Sequence, residues 1–320
     1  VRFSYLCHTF ADRMGDVARL AVIDISTPDR TATGRSIRKA FVEYGFCYVI
    51  GHGVEQALMD KVFEESRRFF ALPIREKTAL LRNHHRGYTP NFAENLDPSV
   101  SSIGDLKEGF NIGPMELEAL NQWPSSELLP DWKTTMCTYY ESVMSVAKAC
   151  VSLIALGLDL DEAYFEKIGA LDLPQAFLRL LYYPDDHEHR PKDNLGAGAH
   201  SDYGMITLLA TDGVPGLQVC KDKDKETRIW EDVPHLPGAF IVNVGDIMER
   251  WTNGLFRRST LHRVKRVGRD RYSIAFFLEP DSDCLVECLE SCCSSSCPKR
   301  YPPIRSGDYL KERLLLSYGQ

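Results

Sequence analysis

The sequence predicts an α+β protein: an antiparallel double-stranded β-helix, or jelly roll, flanked by helices that come mostly from the N-terminal half. Three observations predict it. Before Pro174 the apolar residues of the longer segments recur at three- and four-residue steps, the period of amphipathic helices. After Pro174 the period changes to short apolar runs joined by turns, with no internal repeat; sandwiches and jelly rolls read this way. The chain has 320 residues, 44% hydrophobic and 26% charged, an ordinary globular composition long enough to bury a sizeable core.

"LAVIDIS" (20–26) reads as a strand ending at a Ser/Thr cap. Residues 31–45 read as a helix with Ile37, Ala40, Phe41 and Tyr44 on one face, stopped by Gly45. An apolar strand (46–54) runs into a Gly-rich turn, and a second amphipathic helix (55–73) is ended by Pro73. The stretch 84–129 reads as irregular, and loops of that length are usually functional or disordered. The longest helix is expected over 130–158, with Met144, Ala147, Cys150, Val151 and Ile154 at helical spacing. Strands are expected over 175–184, 205–212, 216–220, 228–233, 238–246, 261–266 and 271–280, and a capped amphipathic helix closes the chain.

A formal net charge of -7 gives no basis for a nucleic-acid partner. We expect no membrane span, because no apolar run approaches the roughly 20 residues one needs. The first residues lack the apolar core of a secretory signal, so the expected location is cytoplasmic and residues 1–19 are expected to be a poorly ordered extension. Five of the ten cysteines lie between Cys284 and Cys297 without a C-x2-C knuckle. Free thiols in a surface loop are the expectation, with a metal site or a regulatory disulfide as the alternative.

The chemistry concentrates in "AHSDYGMITLL". His200 and Asp202 are two residues apart, and a strand sends such positions to one face. Of nine histidines only His262 lies on a comparable β segment. Two imidazoles and a carboxylate make a facial triad, which holds Fe(II) on one side and leaves positions open on the other. The competing reading is a hydrogen-bonded surface pair and an unrelated strand histidine. The strand after His262 favours the triad. Arg271 and Ser273 share one face of that apolar strand while Tyr272 points away. A guanidinium turned into a core is costly unless an anion meets it, and a carboxylate fits it in two-pronged geometry. A short 2-oxo diacid would chelate the metal at one end and meet Arg271 at the other.

These motifs resemble the isopenicillin N synthase-like branch of the 2-oxoglutarate and Fe(II)-dependent dioxygenases. The resemblance covers nearly the whole chain after residue 20 and includes "YGFCYVIGHGV", "RGYTP", "DLKEGFNIGP", "LRLLYYP", "VNVGDIMERWTNG", "STLHRV" and "RYSIAFF". It implies an N-terminal dioxygenase region (20–125), helical support (126–172), a catalytic jelly-roll core (173–282), and a Cys-rich loop with a C-terminal helix (283–320). It implies His200, Asp202 and His262 as iron ligands, and Arg271, Ser273 and Tyr183 as the cosubstrate site. Plant-type members carry Asn two residues before that tyrosine, where this chain has Leu181. The implied activity couples decarboxylation of 2-oxoglutarate, with dioxygen, to hydroxylation, desaturation or ring closure. The expected substrate is a small organic acid or amino-acid-like molecule of specialised metabolism, and the expected enzyme is a monomer. Substrate contacts are expected from Arg86, Tyr88, Phe92 and Phe110 in the long loop and from Phe277. The rivals are a 2-oxoglutarate-independent oxidase, a metal-dependent hydrolase and a non-catalytic jelly-roll binding protein.

Overall fold

A computed structural model describes residues 17–99, 103–185, 195–221, 228–256 and 261–318. The N-terminal half supplies β1 (Ala21–Asp24), α1 (Arg30–Glu43), β2 (Phe46–Ile50), α2 (Gln56–Phe70), α3 (Ile74–Thr78), β3 (Gly87–Thr89), β4 (Glu108–Ile112), α4 (Trp132–Gly157) and α5 (Tyr164–Lys167). The core is made of β5 (Pro174–Tyr183), β6 (Leu195–His200), β7 (Ile206–Thr211), β8 (Leu217–Cys220), β9 (Trp230–Asp232), β10 (Phe240–Val244), α6 (Asp246–Trp251), β11 (His262–Lys265) and β12 (Arg271–Asp281). The chain then runs through β13 (Leu285–Val286) and β14 (Ile304–Arg305) into α7 (Ser306–Tyr318).

An eight-stranded sheet in the order β1-β2-β10-β7-β12-β5-β4-β3 faces a four-stranded sheet in the order β6-β11-β8-β9. All ladders are antiparallel except β1 with β2. This is the jelly roll expected from the sequence, widened at both edges of the large sheet by N-terminal strands.

β12 shows how one strand serves two environments. Ile274, Phe276 and Leu278 point to the helical side and join the main core, where Tyr140 of α4 meets Phe276 edge-on at 5.2 Å. Each such buried side chain contributes about 1.5–3 kcal/mol. The alternate residues Arg271, Ser273 and Glu279 are also buried, but on the face turned towards the small sheet. α1 starts where Asp29 caps it, accepting from the Ala32 amide at 2.9 Å, and ends at Gly45, whose φ of 72° suits a residue without a Cβ. It lies close on α4: a Cβ at Gly157 would stand 2.4 Å from the Gly34 carbonyl oxygen.

Several expectations need correction. The stretch 84–129 is not wholly irregular; β3 and β4 form an antiparallel pair that extends the large sheet through β5. Gly, Asn and Pro in these short strands hide the alternation. His200 and Asp202 do not share a strand. His200 ends β6, a Gly-rich strand (LGAGAH), and Asp202 lies in the connection to β7. α4 is, by length and composition, apolar enough to cross a bilayer, yet 56% of that window is buried against the rest of the protein. In the cysteine segment Cys288 is joined to Cys293 by a disulfide, whereas Cys284, Cys292 and Cys297 are free thiols. Of the expected N-terminal extension, residues 1–16 lie outside the described residues, and Val17 and Ala18 dock on β9.

Candidate functional site

β6 and β11 pair antiparallel with His200 opposite His262, so two imidazoles start side by side, their centroids 4.2 Å apart. The turn after β6 carries Asp202 between them. Its Oδ1 lies 3.8 Å from His200 Nε2 and 3.7 Å from His262 Nε2. One ligand atom from each residue lies within 4.8 Å of the others, so a small contraction lets one ion reach all three with bonds of about 2.0–2.2 Å.

The surroundings prepare these atoms for a cation. His200 Nδ1 donates to the Gly198 carbonyl at 2.9 Å, which leaves Nε2 with its lone pair. Burial, and then the neighbouring His262, lower the His200 pKa to about 4, so the ring is neutral at physiological pH. Burial by itself would raise the Asp202 pKa, but the two imidazoles and hydrogen bonds from Thr207 and Asn243 outweigh it and hold the carboxyl below its ordinary value. Thr207 and Asn243 both donate to Oδ2, at 2.6 and 2.7 Å, which turns Oδ1 towards the histidines.

The second half of the site lies on the large sheet. Arg271 and Ser273 point inward from β12, 2% and 1% exposed. Tyr183 faces Arg271 across the β5–β12 ladder, and Leu181 faces Ser273. The guanidinium lies 5.1 Å above the Tyr183 ring, and its Nη1 donates to Ser273 Oγ at 3.2 Å. Its buried Nε has no hydrogen-bond partner among the described residues. A donor left without an acceptor in a core is expensive, so the cradle fits an incoming carboxylate. Leu181, Tyr183, Ala197 and Val264 form a small apolar patch beside it. Gly196 makes this closeness possible, because a Cβ there would stand 2.6 Å from the Tyr183 ring.

A cavity of about 390 Å³ opens beside the triad. His200, Asp202, Arg86 and Phe277 line it. Arg86 is 5% exposed, stacks over Phe177 at 5.6 Å, and donates from Nη1 to the His84 carbonyl at 2.8 Å. That bond ties down a two-residue turn in which His84 and His85 both have positive φ, a conformation L-residues adopt only when their surroundings enforce it. Tyr88, Phe92 and Phe110 are not among the cavity residues. Tyr88 and Phe110 belong to the main core, where Phe110 packs on Phe69 and Trp132, and Phe92 is an exposed surface residue.

Sequence reasoning missed other walls of this cavity. Gln175, Phe177 and Arg179 line it from β5; counting back in twos from Tyr183 would have found them. Glu279 emerges by the same count from Phe277, and its burial, then Asp202 and Asp246, raise its pKa to about 8. Leu310, Lys311 and Leu314 of α7 close another side. No local signal marks a C-terminal helix as a wall of this cavity.

Comparison with known proteins places these observations. A model described as the N-terminal region of non-haem dioxygenases in morphine synthesis matches residues 20–126, and one for the 2OG-Fe(II) oxygenase superfamily matches residues 174–280. Azadirone synthase of Melia azedarach is 38% identical over 316 residues, covering 94% of this chain and 93% of its own length. The 2-oxoglutarate-Fe(II) type oxidoreductase hxnY of Emericella nidulans is 36% identical, with 89% and 85% covered. Among solved structures, a Neurospora crassa protein in complex with alpha-KG and thymine superposes with a TM-score of 0.83 at 29% identity, covering 93% of this chain and 96% of that one.

Proposed function

The chain belongs to the 2OG-Fe(II) oxygenase superfamily, and on that premise we propose that His200, Asp202 and His262 hold its iron and that Arg271, Ser273 and Tyr183 hold its 2-oxoglutarate. The protein is an enzyme, a 2-oxoglutarate- and Fe(II)-dependent dioxygenase. When bound, iron, 2-oxoglutarate and dioxygen supply the oxidising power, releasing succinate and carbon dioxide as a substrate C–H bond is oxidised.

The residues of this chain supply placement. Asp202 offers Oδ1 because Thr207 and Asn243 occupy Oδ2. His200 offers Nε2 because Gly198 occupies Nδ1. Arg271, with its unsatisfied Nε, takes the distal carboxylate of the cosubstrate, and Ser273 is the second donor. The apolar patch around Leu181 and Val264 keeps water from that contact.

The single observation that carries this reading is the inward face of β12. Arg271 and Ser273 stand at one end of it and Phe277 and Glu279 reach the cavity beside the triad. The cavity offers Arg86 for an acid group and Phe177 and Phe277 for an apolar body. The substrate that suits these walls is a small organic acid or amino-acid-like metabolite. The test is a screen of metabolite acids and amino-acid derivatives with the iron-loaded enzyme, read as succinate released above the substrate-free rate. Acids that fit Arg86 are expected to stimulate it; stimulation by neutral apolar compounds alone would contradict the substrate class.

A further inference from the structure

Glu279 is an acid on the cavity wall whose carboxyl has no hydrogen bond or ion pair among the described residues. It is 4% exposed. Every other buried carboxylate among those residues is held. Glu65, Glu94, Glu108 and Glu231 each meet a lysine or arginine at 2.6 to 2.8 Å, and Asp202 accepts from Thr207 and Asn243. Burying an acid without a partner is costly. Its burial, and then the repulsion of Asp202 and Asp246, make a negative charge on Glu279 costlier still while the cavity holds no cation.

The fold nevertheless makes a place for this acid. A Cβ at Gly204 would stand 2.6 Å from Glu279 Oε2, so a residue without a side chain lets the carboxyl settle against the turn that follows Asp202. The β5–β12 ladder sets Gln175 opposite Glu279. Opposite residues of a ladder point to the same side, and both line the cavity. Gln175 Nε2 donates to the Leu173 carbonyl at 3.3 Å, which leaves its Oε1 as a second acceptor without a donor among the described residues. Arg179, Arg305 and Lys311 line the same cavity but pair with Glu94, Asp283 and Asp308 instead. The partner that suits this corner therefore comes from outside the chain, and it is a donor with a positive charge.

The neighbouring rows give such a ligand its outline. Along β12, Glu279 stands two residues from Phe277, about 6.6–6.8 Å. Phe277 faces Phe177 across the ladder, and Arg86 stacks over Phe177. The cavity wall thus presents a guanidinium, an aromatic pair and a carboxyl in succession.

We propose that Glu279 receives a basic nitrogen of the substrate, so that the substrate carries an acid group for Arg86, an apolar body for Phe177 and Phe277, and an amine. The inference rests on this cavity being the substrate site with Arg86 taking the acid, and it narrows the class from organic acids to amino acids with an apolar segment between acid and nitrogen. The test is calorimetric titration, without oxygen, into protein loaded with Mn(II) and 2-oxoglutarate. Two matched pairs of probes are used: 4-(aminomethyl)benzoate against 4-methylbenzoate, and 5-aminopentanoate against pentanoate. In the parent the amine is expected to tighten binding about tenfold in at least one pair, the worth of one charge-assisted hydrogen bond. Glu279→Gln, which keeps the shape of the side chain, is expected to bring the two members of that pair within about threefold of each other, with the amine-free acid bound as in the parent. Should Glu279→Gln not fold, Glu279→Met replaces it with the same expectation. No advantage for the amine in either pair would overturn the proposal, and so would an advantage that survives in the variant. An equal loss for both members of a pair would also overturn it, because Glu279 would then be a support of the wall. Arg86→Ala in the same titration separates the two readings. Weaker binding of every acid there, with no preference for amines in the parent, refutes only the role of Glu279. Parent-like binding of the acids in Arg86→Ala, or a parent that binds no probe, refutes the reading of Arg86 and this inference with it.

Discussion

The two ends of the inward face of β12 are assembled differently. At the Arg271 end, the anchor comes from two neighbouring strands in unbroken register, with Tyr183 across from Arg271 and Leu181 across from Ser273. At the Glu279 end, the walls come from a strained turn at His84 and His85, the strand β5 and the C-terminal helix α7. The first end is a local pattern repeated every second residue. The second exists only after distant segments meet. On the proposed reading, the cosubstrate anchor is written into adjacent strands, whereas the substrate walls are drawn from a loop, two strands and a terminal helix.

Substitutions can sharpen that contrast. The largest effect is expected at the triad: Asp202→Ala or His262→Ala should bring turnover to background and weaken metal binding by more than about a hundredfold, beyond the range seen for outer partners of a metal site. Metal content after desalting checks this, and a His262→Ala protein with normal iron and turnover would remove it from the site. Phe110→Ala comes next, and its cost is structural. Phe110 is fully buried against Phe69 and Trp132, so stability should fall by about 3–5 kcal/mol in denaturant unfolding, while substrate affinity of the folded fraction stays near the parent value. Asn243→Ala frees one lone pair of Asp202 Oδ2 and should cost about 10–100-fold in metal affinity without altering the cavity.

The substrate end should respond more selectively. Arg86→Ala is expected to raise the KM for an acidic substrate about tenfold or more, and to leave substrate-free decarboxylation of 2-oxoglutarate near the parent rate. Equal damage to both reactions would make Arg86 a support of the His84–His85 turn. The smallest effect concerns pH. Glu279 has its pKa raised to about 8 in the fold, against an unfolded value near 4.3. The folded state therefore binds the extra proton between these values, and its contribution to stability is lost as pH rises from about 5 to about 8. The melting temperature of metal-free protein should decline over that window, and Glu279→Gln should flatten the decline. An unchanged pH slope in the variant would show that another group carries it.

Legibility in the sequence divides the same way. The strands β5 and β7 to β12 could be read from their short apolar runs, whereas β6, β13 and β14 could not, and Arg271 with Ser273 stood out because an apolar strand would not otherwise hold an arginine. His200, Asp202 and His262 were found, although a shared strand is not what joins the first two. His200 ends β6, whose LGAGAH sequence lacks the bulky alternation that marks a strand, and Asp202 reaches the same spot from a turn. Tyr88 and Phe110 show the opposite failure. They sit in motifs of a long Gly- and Pro-rich stretch, but β3 and β4 turn them into the core beneath α2 and α4. Nothing in the composition of "SGDYLKERLLLSYG" told that Leu310 and Leu314 would face the cavity.

The most direct test of the account pairs one substitution with one missing carboxylate. Affinities of 2-oxoglutarate and of 2-oxobutanoate, which lacks the distal carboxylate, are measured for the metal-loaded parent and for Arg271→Gln under anaerobic conditions. If Arg271 grips the distal carboxylate, the parent prefers 2-oxoglutarate by about a hundredfold, on the order of 3 kcal/mol for a two-pronged charge-assisted pair. In Arg271→Gln that preference collapses to within a few-fold, while metal affinity is unchanged. A variant that keeps the parent's preference for the diacid would contradict the account, because the carboxylate would then be held by something other than the cradle on β12.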